Sequence, residues 1–239
     1  MAGRRWGPSI SGLLVGLPLT SGPIAFFLSL NNGVSFASAA AMGTLAGTLS
    51  QAAFCVVYSR SAFRFNWIVA IFLSSLAFIA STVVLQFLYL PLIPLYLLVL
   101  LCLVLALRFS ARVNTKAAVE AKQLPNWDIP ARMIVATTYV VLLTSIAPHV
   151  GAHLTGLLSP FPLYAAVLAA FAHRLQGPEP AIRVVYGLLI GLFGFASFFL
   201  VLSGLLPPVG IVGAFSMAAI TVLTIQAVAL WVLRRSTHE

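Results

Sequence analysis

The 239-residue chain is 61% hydrophobic and only 7% charged, with 13 Lys and Arg against 4 Asp and Glu for a net charge of +9. Its mean hydropathy is +1.08, whereas soluble domains carry about a quarter charged residues, which excludes a globular enzyme, a secreted disulfide scaffold, a disordered tail and a coiled coil. The basic residues stand in short breaks between apolar runs, not in patches interleaved with aromatics, so despite a pI near 10.4 they point to orientation in a lipid bilayer and away from nucleic acid.

A spanning helix takes about 20 mainly apolar residues, and backbone groups in lipid must pair within their own segment, which makes each run helical. Eight runs qualify, over 9–30, 35–58, 66–88, 91–107, 132–149, 153–173, 183–204 and 209–233. Arg4 and Arg5 before the first run, with Ala37-Ser38-Ala39 beyond it, have the outline of a cleaved signal. The length of that run, and its counterpart deep in the chain, favour a retained span. Near its middle, Leu17-Pro18-Leu19-Thr20-Ser21-Gly22-Pro23 predicts a broken helix, because proline removes a backbone donor and clashes with the preceding turn. An ordinary kink, repaired by Thr20 and Ser21 bonding back to their own helix, is the competing reading.

In the second span, Gly43 and Gly47 form a small-xxx-small pair suited to close packing of backbones, and Gln51 reads as an interhelical hydrogen-bonding group. Pro91 and Pro94 separate the third and fourth spans. Cys55 and Cys102 lie inside apolar runs and read as small core residues. The loop from Ser110 to Arg132 contains AAVEAKQLPNW, a candidate surface helix drawn to anionic lipid by Lys116 and Lys122. His149 and His153 flank Gly151 in a turn after the fifth span, without a third metal ligand. The sixth span carries Ser159-Pro160-Phe161-Pro162 and Tyr164, and ends in His173-Arg174, a pairing that suits a helix C-terminus. Gly187 and Gly191 give the seventh span its own packing pair, within the chain or between copies of it in a homo-oligomer. Trp67, Tyr89 and Trp231 sit near span ends as interfacial anchors.

With eight spans, all 13 basic residues fall on one side, which should be the cytoplasmic side and should hold both termini. The division is then a first unit over 1–108, a cytoplasmic connection over 109–131 and a second unit over 132–239, each unit with four spans.

An internal repeat links the units. At an offset of 144 residues, 7–59 lies over 151–203 without a gap, with 17 identities in 53 positions, where about five would arise by chance. Pro18 falls on Pro162, Gly33 on Gly177, and Gly43 and Gly47 on Gly187 and Gly191. Spans one to three thus repeat as six to eight. The shift of five spans is odd, so the units run in opposite directions as an inverted repeat produced by gene duplication, and spans four and five are candidate symmetry mates. The second unit, with GLLSPFPLYAAVLAAFAHRLQGPEPAIRVVYGLLIGL, resembles the GlpM family of small bacterial inner-membrane proteins over about 132–233. The resemblance implies a four-helix building block and a bacterial source, and no mechanism.

These features describe an all-α polytopic protein of a bacterial inner membrane. The expected function is transport of a small neutral or anionic solute by alternating access, with Pro18, Thr20, Ser21, Gly22, Pro162 and Tyr164 lining a central site. No Asp or Glu lies within a span, which argues against cation exchange and carboxylate catalysis; no enzyme activity, metal or cofactor is expected. The alternative is a non-transporting envelope-assembly or lipid-handling protein.

The charge distribution sets a topology test. In a background lacking Cys55 and Cys102, single cysteines placed near Asn31, Leu90, Gly151 and Pro207 should react with an impermeant thiol reagent from outside intact cells. Labelling near Arg60 or Lys116 instead would reverse the assignment.

Overall fold

The computed structural model describes residues 13–111 and 128–235, and among them every regular element is a helix. In chain order these are α1 (Ser21–Asn31), α2 (Val34–Ser61), α3 (Trp67–Leu85), α4 (Leu92–Phe109), α5 (Asp128–Val150), α6 (Ala152–Leu158), α7 (Leu163–Gln176) and α8 (Pro178–Arg235). Five stretches are long and apolar enough to cross a bilayer: α2, α3, α4, α6 together with α7, and α8. Arg4, Arg5 and the surface helix expected over 117–127 lie outside the described residues.

The outer helices bury one face in the bundle and expose an apolar face on the other side. On α3 the buried face is Ala70, Ser74, Phe78, Thr82 and Leu85, while Ile68, Phe72, Leu76, Ile79 and Val83 are exposed. On α4, Leu95, Val99, Leu103 and Ala106 recur at helical spacing on the buried face, and Ile93, Leu97, Leu101 and Val104 face outward. Apolar surface exposed on this scale is unfavourable in water and suits a lipid surround.

Hairpins organise the bundle. Gly210, with φ 74° and ψ −178°, interrupts α8 just after Pro207 and Pro208. The two halves fold back on each other, since Gln226 Nε2 donates to the Gly191 carbonyl at 3.1 Å. Asn66 starts α3 by accepting the Val69 N–H on its side chain at 3.0 Å, a standard N-cap. About that corner α3 folds onto α2, with Thr82 Oγ1 donating to Ser50 Oγ at 2.9 Å. The predicted break between spans three and four is present, from Gln86 to Pro91.

Contacts gather the loops at two ends. At one end Arg60 Nε donates to the Phe109 carbonyl at 2.9 Å and Tyr58 meets His173, so Arg60, Arg64, Arg108 and Arg174 lie together there. At the other, Tyr89 stacks on His153 with ring centroids 5.0 Å apart, and Ser38 and Ser203 exchange hydroxyl-to-carbonyl bonds of 2.8 and 3.1 Å.

The closest helix contacts use glycine. A Cβ added to Gly43 would lie 2.5 Å from the His153 carbonyl, and one on Gly47 would lie 2.7 Å from the Leu157 carbonyl and 2.6 Å from Pro160 Cγ. Across the bundle, a Cβ on Gly191 would lie 2.8 Å from both the Leu13 carbonyl and Gly16 Cα. Leu157 and Pro160 are the 144-residue counterparts of Leu13 and Gly16, as Gly191 is of Gly47, so the two contacts are exchanged versions of one another. The expectation for Gly43, Gly47 and Gly191 thus acquires partners: α2 packs on α6, and α8 packs on the turn before α1. Gly187 is buried in α8.

Spans four and five do not share partners as symmetry mates would. Helix α4 packs on α2 and α8, whereas α5 packs on α1, α6 and α7.

Gly156→Ala should destabilise the protein by about 1 to 3 kcal/mol, the usual cost of overpacking, because its Cβ would be driven into the Ala40 carbonyl. Gly204→Ala, which would meet Leu92 at an ordinary 3.5 Å, should be close to neutral. Thermal unfolding of both variants in detergent checks the difference.

Candidate functional site

Both sequence-predicted breaks are present. In the first, helical residues 13–15 are followed by non-helical residues before α1 begins at Ser21. In the second, α6 ends at Leu158 and α7 begins at Leu163. Proline accounts for both. Pro160 and Pro162 have no N–H to continue the ladder, and Pro18 leaves the Leu14 carbonyl without its i+4 donor.

The breaks meet. Ser21 Oγ donates to the Ser159 carbonyl at 2.9 Å across the bundle, so Ser21 does not repair its own helix as the kink reading requires. A cavity of about 20 Å³ lies at this junction, with Thr20, Ser21, Pro162 and Tyr164 on its wall. Val15, Leu17, Pro160, Phe161, Leu163, Gln51 and Phe195 complete it. Several of these form 144-residue pairs: Leu17 with Phe161, Thr20 with Tyr164, and Gln51 with Phe195.

Four of the six expected site residues therefore share one cavity, and two do not. Pro18 and Gly22 line a separate, open apolar groove of about 460 Å³ with Pro23, Phe26, Phe27, Phe198 and Phe215. Helix geometry explains the split. Gly22 and Phe26 fall one turn apart on one face of α1, whereas Ser21 points about 100° away from Gly22; Pro18, before the helix, lies beside Gly22, 3.8 Å from where a Cβ on that glycine would be. Phe26 closes one side of the groove edge-on to Phe215, at 5.6 Å.

Gln51 is the residue that sequence reasoning undervalued. It is 5% exposed, lines the cavity, and its Oε1 has no hydrogen-bond partner. Ser159 Oγ is likewise buried without a partner. The signal for Gln51 was its spacing: it follows Gly43 and Gly47 at successive intervals of four, so it continues the face that packs on the broken helix.

Other polar residues have local explanations. Gln226 makes the interhelical bond expected of it, while Thr221 and Thr224 bond to carbonyls in their own helix. His173 Nδ1 lies 3.3 Å from the Tyr58 hydroxyl, a specific partner beyond the helix end. His149 belongs to the last turn of α5 and His153 to α6, so the expected turn is confined to Gly151. Among the described residues, no three His, Cys, Asp or Glu side chains are grouped to hold a metal ion.

Comparison with protein-family models, curated proteins and solved structures finds no match to this chain.

Ser21→Ala should cost about 1 kcal/mol or somewhat more, since it removes one hydrogen bond and leaves a buried carbonyl unpaired. Thr20→Val, at a side chain with no hydrogen bond, should change stability little. Paired unfolding curves would separate the two, and equal effects would show that the link between the breaks contributes nothing.

Proposed function

We propose that the chain is a transport protein of a bacterial inner membrane that moves a small neutral or anionic solute by alternating access. The observation that carries this reading is that two helix breaks, far apart in sequence, close a single polar-lined cavity. Discontinuous helices meeting at a repeat interface are a recurrent way of building a solute site within a bilayer.

The inverted repeat underlies the proposal, and three observations support it. The glycine contacts of α2 and α8 are exchanged between units. The hairpin corners at Asn66 and Gly210 stand 144 residues apart, as do the helix junctions at Gly33 and Gly177. Exchange of the units also maps the partners of α4 onto each other, and likewise α1 and α7 beside α5. Helices α4 and α5 would then straddle the pseudo-twofold axis individually, and would not be mates. In this reading the chain crosses eight times, with α8 supplying two crossings and the end rich in arginine facing the cytoplasm. Duplication is its origin, and the GlpM-like pattern of the second unit adds only a bacterial source.

In the proposed cycle, the small cavity marks the junction about which access changes. Rocking of one unit against the other would open the junction first to one side and then to the other. The polar groups at the site are an amide, hydroxyls and a phenol, which suits binding and desolvation of a solute more than acid–base catalysis. A second reading, lipid handling without transport, is favoured by the apolar groove at Pro18 and Gly22, whose phenylalanine walls suit an acyl chain.

The test is accessibility. Thr20→Cys and Tyr164→Cys, in a background lacking Cys55 and Cys102, should each react with an impermeant thiol reagent in right-side-out vesicles and also in inverted vesicles. Reaction from one side alone, or from neither, would overturn alternating access. Spin-labelled phospholipid immobilised at Phe26 in the same preparation would then favour lipid handling.

A further inference from the structure

Helices α3 and α4 are consecutive in the chain and joined only by the short connection from Gln86 to Pro91, yet among the described residues they share no interface of their own. Both pack on α2 instead. Thr82 ties α3 to Ser50 of α2. The end of α4 is tied to α2 at Ser59, whose Oγ accepts the Ala111 N–H at 3.3 Å. The hairpin therefore stands open over α2.

The face of α2 beneath this opening differs from the rest of the helix. From Gly43 to Ser59 every residue is buried except Leu49, Ala53, Val56 and Val57, which are half-buried. Together with the exposed Arg60 they recur at intervals of three and four, which makes one stripe along the helix. Ser50 lies about 100° round the helix from Leu49, and Ser59 about 100° from Arg60 in the opposite sense, so α3 and α4 flank the stripe on either side. The result is an apolar trough with α2 as its floor. From Leu49 to Arg60 it runs about 16 Å at 1.5 Å per residue, which is close to half of a hydrocarbon core about 30 Å thick. The trough is one leaflet deep.

Its outer end carries charge. Arg60 Nε donates to the Phe109 carbonyl at 2.9 Å, which holds the guanidinium at the seam between α2 and α4 and leaves its terminal N–H groups without a partner among the described residues. Arg108 adjoins Phe109, and Arg64 stands in the turn that leads from α2 to α3. None of the three arginines has a carboxylate partner among the described residues, and Glu179 is engaged by Arg183 at 3.7 Å.

We propose that this trough holds one phospholipid of net negative charge from the leaflet on the arginine side, with an acyl chain along the floor over 49–57 and the headgroup phosphate between Arg60 and Arg108. Guanidinium groups recognise phosphate through paired N–H donors, and basic pockets between spans are a recurrent place for anionic headgroups. A zwitterionic headgroup would bring its own ammonium towards arginines that already lack counter-charges. A second copy of the chain, docked side by side in the same orientation, would bring the same arginines together. Charge complementarity thus favours the anionic lipid over both. The site is separate from the junction of the breaks and does not depend on transport there.

Phosphatidylglycerol and phosphatidylcholine are the probes, titrated into the delipidated full-length protein in detergent and counted as adducts by native mass spectrometry. The first phosphatidylglycerol should bind at least fivefold more tightly than phosphatidylcholine. Arg108→Gln should erase that preference, and because Arg108 is exposed and unpartnered its thermal unfolding should match that of the wild type. Ala53→Trp, which fills the floor and leaves the charges intact, should weaken the first phosphatidylglycerol at least fivefold. Arg174→Gln, at the same end of the bundle but on α7, should leave the preference unchanged. A preference kept in Arg108→Gln, or tight binding kept in folded Ala53→Trp, would overturn the site. An equal loss in Arg174→Gln would overturn it as well, and would put diffuse attraction to the arginine end in its place. A dimer in the mass spectrum that Ala53→Trp splits would show that a second copy covers the trough, and the lipid proposal would fall.

Discussion

Everything in the bundle depends on how closely α2 and α8 approach the broken helices. In lipid, apolar side chains gain little by leaving their surroundings for one another, so helices associate through van der Waals packing and polar contacts. Gly43 and Gly47 allow the backbone of α6 to lie directly on α2, and Gly16 and Gly191 do the same on the other side. This approach brings Ser21 within reach of the Ser159 carbonyl. It also sets the cavity's size, since a side chain at any of these positions would hold the breaks apart.

The interior polar groups divide into two kinds. Many hydroxyls satisfy themselves within their own helix, as Ser29 does on the Ala25 carbonyl, Thr44 on Ala40 and Ser74 on Ala70. Such i−4 bonds let a hydroxyl enter an apolar core without a partner from another helix. At the breaks that option is lost, because the carbonyl one turn earlier is no longer in register. Ser21 therefore bonds across the bundle and Thr20 keeps its hydroxyl uncommitted. Chemical capacity collects where helical geometry fails.

Much of this was legible in the sequence. Apolar runs and prolines located the helices, the interruption before Leu92 and both internal breaks, because chain length in lipid and the missing proline N–H are local constraints. Facing is a longer-range property. Pro18 and Gly22 were grouped with Ser21 by depth, but depth does not say which side of α1 a residue occupies, and that depends on where the helix resumes. Residue type alone makes Gln51 an interhelical hydrogen-bonding group, whereas its unpaired oxygen depends on how the neighbouring helices approach. The partners of α4 and α5 could not be read from hydropathy either, since both helices lie outside the aligned repeat.

The helix junctions show a different kind of specification. Gly33, Gly151, Gly177 and Gly210 all have φ between 74° and 92°, and a Cβ on any of them would meet nothing within 4 Å. Glycine is needed at these corners for handedness, not for room: the torsions belong to the mirror image of the extended region open to L-residues. Asn66, at the corner equivalent to Gly210, instead has φ −67° and fastens its helix with a side-chain cap. One kind of corner is thus governed by chirality and the other by a hydrogen bond. A bend that relies on chirality carries no side chain that must be kept dry, hydrated or paired, so it can sit at any depth of the bilayer boundary, whereas the asparagine corner is tied to a level where its amide is solvated.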